Sequence, residues 1–214
     1  EADAGVRTSA TEDRHLSLPT PTLRSSMLVG LVSDTHDDLD AIEAAVALFE
    51  SRGVDAVVHC GDFVAPFSVT PFDADFDFYA VRGNNDGEWA VESTVDAFGE
   101  YLGEAGALSF PVGAPGQSAV EVTESVESAE SLDVAVTHGT SEVVVDALVD
   151  CGDYDVVVHG HTHARAVETR GETVRVNPGG LPIPVEGADD AFHVAVLDTG
   201  VAGAEAVTSH RLRP

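Results

Sequence analysis

Three histidines fall within the five residues His159-Gly160-His161-Thr162-His163, directly behind the apolar run 154–158. Four other apolar runs end the same way. Residues 28–32 lead into Asp34-Thr35-His36, and 55–59 lead into Gly61-Asp62. Residues 76–81 lead into Gly83-Asn84-Asn85-Asp86, and 132–136 lead into His138-Gly139. Imidazole, carboxylate and amide oxygen together suit divalent transition metals. Three oxygen donors (Asp34, Asp62, Asn84) and four imidazoles (His36, His138, His161, His163) exceed the four positions of one tetrahedral zinc. They suit two divalent ions sharing a carboxylate. Residues two apart on an extended segment face the same side, so Asp34 with His36, and His161 with His163, can each act as a pair. The adjoining glycines let the backbone turn tightly beside the ions. Any one of these clusters alone is weak evidence. Their strength lies in recurring in order, each at the end of an apolar run.

Such convergence requires strands whose C-terminal ends share an edge, which is where open α/β sheets place their sites. From residue 28 the chain alternates strand and helix patterns. The runs 28–32, 55–59, 76–81, 132–136 and 154–158 read as buried strands. Between the first two, Leu39, Ile42, Val46 and Phe49 share a helical face, with Asp37 and Asp38 suited to its start and Gly53 to its stop. Val91, Val95, Phe98 and Leu102 predict a second helix after Gly87. Residues 141–152 predict a third, with Ser141 as its cap and Gly152 beyond its end. Residues 107–112 and 118–122 read as short strands and 123–131 as a loop. Segments 164–180, 191–200 and 204–212 read as strands joined by turns. Alternating elements followed by a strand-rich end imply an α/β fold with parallel portions and an added mixed portion.

The chain has 214 residues, enough for one domain with a sizeable core. Residues 1–26 are rich in Ser, Thr and Pro and lack apolar periodicity. They read as a disordered extension ahead of a domain over 27–214, with Met27, the single methionine, as the natural start. Cys60 and Cys151 read as free thiols of a reducing, cytoplasmic setting. No stretch is apolar enough for a membrane span or a signal-peptide core. Acidic residues number 38 against 10 basic ones, all arginine, for a net charge of −28. The acids are spread along the whole chain, which favours adaptation to a salt-rich cytoplasm over an acidic docking tail. At about 1 M salt the Debye length is about 3 Å, so this charge would hardly repel an anionic substrate. With no basic patch, binding to duplex nucleic acid is not expected. His59 and His159, inside strands and before glycines, read as core histidines bonded to backbone. Arg82 reads as a structural ion pair before a phosphate clamp.

Asp34-Thr-His36, Gly61-Asp62, Gly83-Asn84-Asn85-Asp86, His138 and Gly160-His161-Thr-His163, in this order, resemble the calcineurin-like metallophosphoesterase superfamily. Asn177-Pro178-Gly179 resembles a turn common there. Short length and compact spacing are most similar to the small prokaryotic YfcE-type phosphodiesterase branch, here in a halophilic, archaeal version. The resemblance implies a four-layer α-β-β-α sandwich with a dinuclear site at the C-terminal edge of the strands. It implies one ion held by Asp34, His36, Asp62 and His163, and a second by Asp62, Asn84, His138 and His161. Asp62 would bridge. Manganese is the first choice of metal, with nickel, zinc or iron as alternatives. The implied reaction is hydrolysis of a small phosphodiester by a metal-bridging hydroxide, without a covalent enzyme intermediate. Many relatives carry His where this chain has Asn85, and Asn cannot supply a proton. Asn85 is expected to donate an amide hydrogen bond to a phosphate oxygen. Two other readings use the same fold: a non-catalytic scaffold, for which the complete ligand set is unfavourable, and a phosphomonoesterase or dinucleoside-polyphosphate hydrolase. A homo-oligomer is compatible with each.

Overall fold

The computed structural model describes residues 26–112, 131–183 and 191–212. The expected extension before Ser26, the strand at 118–122 and nearly all of the loop at 123–131 lie outside them. The described chain builds two mixed sheets and three α-helices.

Strands β1 (Leu28–Val32), β2 (Ala56–His59), β3 (Asp77–Ala80) and β4 (Glu100–Tyr101) run parallel. On the other side of β1, β10 (Phe192–Asp198) and β11 (Val207–Leu212) add antiparallel strands, giving the order β11-β10-β1-β2-β3-β4. The second sheet has the order β5-β6-β7-β9-β8. Its strands are β5 (Ala105–Pro111), β6 (Ser131–Thr137), β7 (Val156–Val158), β8 (Ala166–Arg170) and β9 (Thr173–Asn177). Its parallel pairs are β6–β7 and β7–β9.

Alternation along the strands explains the layering. Val29 and Leu31 of β1, Ala56 and Val58 of β2, Val134 and Val136 of β6, and Val156 and Val158 of β7 join one core between the sheets. The intervening residues face outward to helices. Val57 of β2 packs with Ile42, Val46 and Phe49 of α1 (Leu39–Arg52) and with Val91 and Val95 of α2 (Glu88–Val95). Ala135 and Val157 pack with Val145 and Val149 of α3 (Glu142–Asp150). The result is the four-layer α-β-β-α sandwich. Strands covered on both faces, such as β1 and β7, are near-continuous apolar runs. Among the described residues, no helix is long and apolar enough to cross a membrane.

Helix α1 is bounded as its sequence dictates. The Asp38 side chain accepts from the Ala41 amide at 3.0 Å, and Gly53 closes the helix in the left-handed region at φ 60°. Leu39 departs from expectation: it is 41% exposed. Ser141 occupies the N-cap position of α3, but its side chain makes no capping hydrogen bond. The second helix is shorter than its periodicity predicts. It stops at Val95, because Gly99 lies against β3, where a Cβ would sit 2.5 Å from the Phe78 carbonyl oxygen. Phe98 stays with the helix-side core, whereas Leu102, beyond β4, joins the inter-sheet core. The five polar-ended strands also divide between two sheets, three in the first and two in the second. One shared edge is therefore formed by two stacked sheets.

Candidate metal centre

Each cluster sits in a turn leaving a parallel strand, and these turns hold one another. The amides of Asp34, His36 and Asp37 donate to the carbonyls of Gly61, Asp62 and Phe63, each at 3.0 Å. The Gly160 amide donates to the His138 carbonyl at 2.9 Å, and the His161 amide reaches the Asp34 carboxylate at 3.0 Å. The last contact joins the two sheets' turns. Among the described residues, seven non-glycine residues take positive φ, and five of them are Asp34, His36, Asp62, His161 and His163. Such backbone costs about 1–2 kcal/mol per residue and persists where its surroundings over-determine it. Two glycines are required by close approach. A Cβ on Gly83 would overlap the Asp62 amide nitrogen, and one on Gly160 would overlap the Ser33 hydroxyl and lie 2.6 Å from an Asp34 oxygen.

The side chains converge. His163 Nε2 lies 3.4 Å from Asp34 Oδ1 and 3.3 Å from His36 Nε2, with the two rings stacked. Asp62 Oδ2 stands between two imidazoles, 3.6 Å from His36 Nε2 and 3.5 Å from His138 Nε2. His138 Nε2 is 3.0 Å from Asn84 Oδ1, and its ring meets that of His161 edge-on at 5.1 Å. All seven expected residues thus lie at one edge, forming two overlapping groups around Asp34–His36–His163 and Asp34–Asp62–His138.

Hydrogen bonding behind the rings fixes what they present. His163 Nδ1 is 2.7 Å from the Leu181 carbonyl, and His138 Nδ1 is 2.7 Å from the Cys60 carbonyl. A carbonyl only accepts, so both rings carry hydrogen on Nδ1 and turn an Nε2 lone pair into the cluster. Those lone pairs face carboxylate and amide oxygens. Asp34 Oδ1 is buried without a hydrogen-bond partner. Several acceptors facing one another, one of them orphaned, fit a cation. Divalent metal ions therefore suit these residues.

The electrostatics are polarised. Burial pushes Asp34 up, with Asp62 adding to the rise and the nearby His163 and His138 opposing it. Burial also acts to raise Asp62, but its pairing with His138 and the hydrogen bonds from the backbone and side-chain amides of Asn85 outweigh it. The net effect holds Asp62 well below the usual carboxylate range. His138 is the converse: burial lowers it, yet its pairing with Asp62 raises it overall. Burial pushes the Cys60 thiol upward, so it is no thiolate nucleophile. Cys60 and the exposed Cys151 are both unpaired thiols, as expected.

Asn85 braces Asp62. Its Nδ2 donates to Asp62 Oδ2 at 2.7 Å, and its backbone amide donates to Asp62 Oδ1 at 2.8 Å. Arg82 pairs with Glu104 at 3.1 Å, as its ion-pair reading requires. Three further residues support the site. The Asp86 carboxylate accepts from the amides of Asp62, Val64 and Gly83 at 3.1, 2.9 and 2.7 Å, which ties two turns together. Asn177 donates to the Gly160 carbonyl at 3.0 Å and to Thr162 Oγ1 at 2.9 Å. Arg175 donates to His159 Nε2 at 2.9 Å and grips Glu142 with both terminal nitrogens. A carboxylate behind two glycine-bearing turns was the available signal for Asp86. Arg175 gave none, since its partners are remote in sequence.

His59 is a core histidine with a defined state. Its Nδ1 accepts from the Gly61 amide at 3.1 Å, which leaves hydrogen on Nε2 toward Thr35 Oγ1 at 3.2 Å, and its ring stacks on Phe63. Burial, with His138 adding, holds it well below 6.5. The unfolded residue binds a proton near that value and the folded one does not. Its contribution to stability is therefore complete above about 6.5 and declines as pH falls through it. In the presence of chelator, the denaturant midpoint should fall between about pH 7.5 and about pH 5.5. That fall should be smaller in His59→Phe; equal falls would show that His59 is not the titrating group.

The same scaffold recurs in known proteins. The model of the calcineurin-like phosphoesterase superfamily domain matches residues 27–201. A phosphodiesterase of Methanocaldococcus jannaschii is 34% identical over 154 residues, covering 72% of this chain and 83% of the relative. Phosphodiesterase YfcE of Escherichia coli is 29% identical over 189 residues, covering 82% of this chain and 89% of the relative. The solved structure of a novel archaeal phosphodiesterase superposes with a TM-score of 0.68 at 28% identity, covering 87% of this chain and all of that one. The metal-seeking turns described above all fall inside the matched segment, and the chain belongs to the calcineurin-like phosphoesterase superfamily.

Proposed function

We propose that this protein is a metal-dependent phosphodiesterase acting on small phosphodiesters. The observation that carries this reading is the set of Nε2 lone pairs facing Asp34, Asp62 and Asn84, with Asp34 Oδ1 orphaned among them. Two similar proteins named phosphodiesterases support the ester class. In this reading Asp34, His36, Asp62 and His163 hold one divalent ion, and Asp62, Asn84, His138 and His161 hold a second. The ions supply an activated water near neutral pH and offset phosphoryl charge. The chain's own residues do the rest. Asp62 straddles the two ligand sets through one oxygen. Asn85 fixes that carboxylate with two amide hydrogens and borders the phosphate position. Leu181 and Cys60 carbonyls keep the His163 and His138 rings aimed. Manganese is our first choice of ion, and the acidic surface suits a salt-rich cytoplasm.

The test is hydrolysis of bis-p-nitrophenyl phosphate and its monoester in high salt, with Mn, Ni and Zn restored singly after chelation. Diester cleavage that returns with metal, and exceeds monoester cleavage, is expected. Two bound ions with no turnover of either ester would favour the scaffold reading.

A further inference from the structure

A cavity of about 450 Å³ opens beside the metal centre, and nothing in the reaction described so far occupies it. Asn84 and His138 form one wall, so it begins where the second ligand set ends. Arg82 and Glu104 form another, and Thr140, Ser141 and Val144 are among the remaining lining residues. The volume leaves room for a group far larger than a methyl. It lies within the usual range for small-molecule sites.

The charge on its walls narrows what fits. Arg82 is the only arginine there, and Glu104 already neutralises it at 3.1 Å. A second phosphate would meet a carboxylate and an engaged cation. What stays available suits an uncharged group: the planar guanidinium face, the Thr140 hydroxyl and Val144, an apolar side chain left 47% exposed at the start of α3. Guanidinium planes stack on flat rings, and exposed apolar surface gains from being covered.

We propose that this cavity seats one ester arm of the diester, an uncharged, nucleoside-sized arm, and so selects nucleoside diesters over substrates carrying a polyphosphate chain. The inference rests on the phosphodiesterase reading and deepens it. A diester bound at Asn84 and His138 must extend an arm away from the ions, and the cavity adjoins both residues.

The experiment compares two diesters on the metal-loaded protein: the p-nitrophenyl ester of thymidine monophosphate and methyl p-nitrophenyl phosphate. The nucleoside ester should show kcat/KM higher by about tenfold or more. Val144→Asp removes the apolar wall at a position near a helix N-terminus, where Asp is tolerated. It should abolish the preference and leave the methyl ester within about twofold. Glu104→Gln releases Arg82 and should raise kcat/KM about fivefold for the p-nitrophenyl ester of thymidine diphosphate, whose arm is anionic. Equal use of the two diesters by the parent protein, or equal losses for both in Val144→Asp, would overturn the proposal. Calorimetry of thymidine monophosphate against methyl phosphate separates the two readings. Binding preference lost in Val144→Asp without any diester turnover would retain the cavity and remove the phosphodiesterase. No binding preference would remove the cavity role even in an active enzyme.

Discussion

Asp62→Ala should lower kcat/KM for bis-p-nitrophenyl phosphate by at least about 10³-fold, about 4 kcal/mol of transition-state stabilisation. Among the described residues, no other carboxylate has one oxygen within 3.6 Å of both His36 Nε2 and His138 Nε2. Its removal withdraws a ligand from both sets at once, and no nearby group can replace it. Asp34 is already within each cluster, and Asp86 spends its carboxylate on three backbone amides. The fold is also touched. Asp62 is held below its ordinary range, so ionised Asp62 adds stability above its unfolded value near 3.8, and this is lost as pH falls. The replacement therefore costs stability at neutral pH, and activity must be read well below the variant's melting temperature. Asp62→Asn keeps volume and removes charge. It should bind less metal by calorimetry and remain similarly inactive. Full activity in either variant, at saturating metal, would refute the shared-ligand role.

Much of this was legible because strand ends are simple to read. An apolar run of five or six residues followed by Asp, Asn or His with Gly marks both an element and what it delivers. His161 and His163 needed no tertiary information to be singled out. The division of the five strands between two sheets was not written in any one run, since a strand covered on both faces looks alike in either sheet. Helical periodicity misled from Phe98 to Leu102. Leu102 matches the period of α2 yet belongs to the inter-sheet core, because Gly99 meets β3 and ends the helix first. Leu39 matches the period of α1 but stays exposed. Supporting residues were least visible. Asp86 acts on amides 22 and 24 residues away, and Arg175 acts on Glu142, 33 residues back. Such partners are chosen by the packing of turns, not by local spacing.

Among the described glycines of the protein's second half, Gly160 should be the one most damaged by replacement with alanine. Gly160 has no positive-φ requirement, so the effect is steric alone. The added carbon would overlap Ser33 Oγ, stand 2.8 Å from Ser33 Cβ and 2.6 Å from Asp34 Oδ2. Ser33 and Asp34 are both fully buried, and the turn cannot retreat freely. Its amide bonds to the His138 carbonyl, its carbonyl accepts from Asn177, and the next amide grips Asp34. Overpacking of this kind costs about 1–3 kcal/mol where neighbours can yield, and more is expected here. Whatever movement relieves the overlap shifts Asp34 against His161 and His163, so metal affinity should fall together with stability. Ser33→Gly removes two of the three crowded atoms. If the clash is the cause, Ser33→Gly combined with Gly160→Ala should recover part of both losses, giving a favourable coupling energy in a double-mutant cycle of denaturant midpoints and metal titrations. Additive losses would instead mean that the methyl acts elsewhere, and that the inter-sheet contact between the first and last turns does not set the geometry of the metal centre.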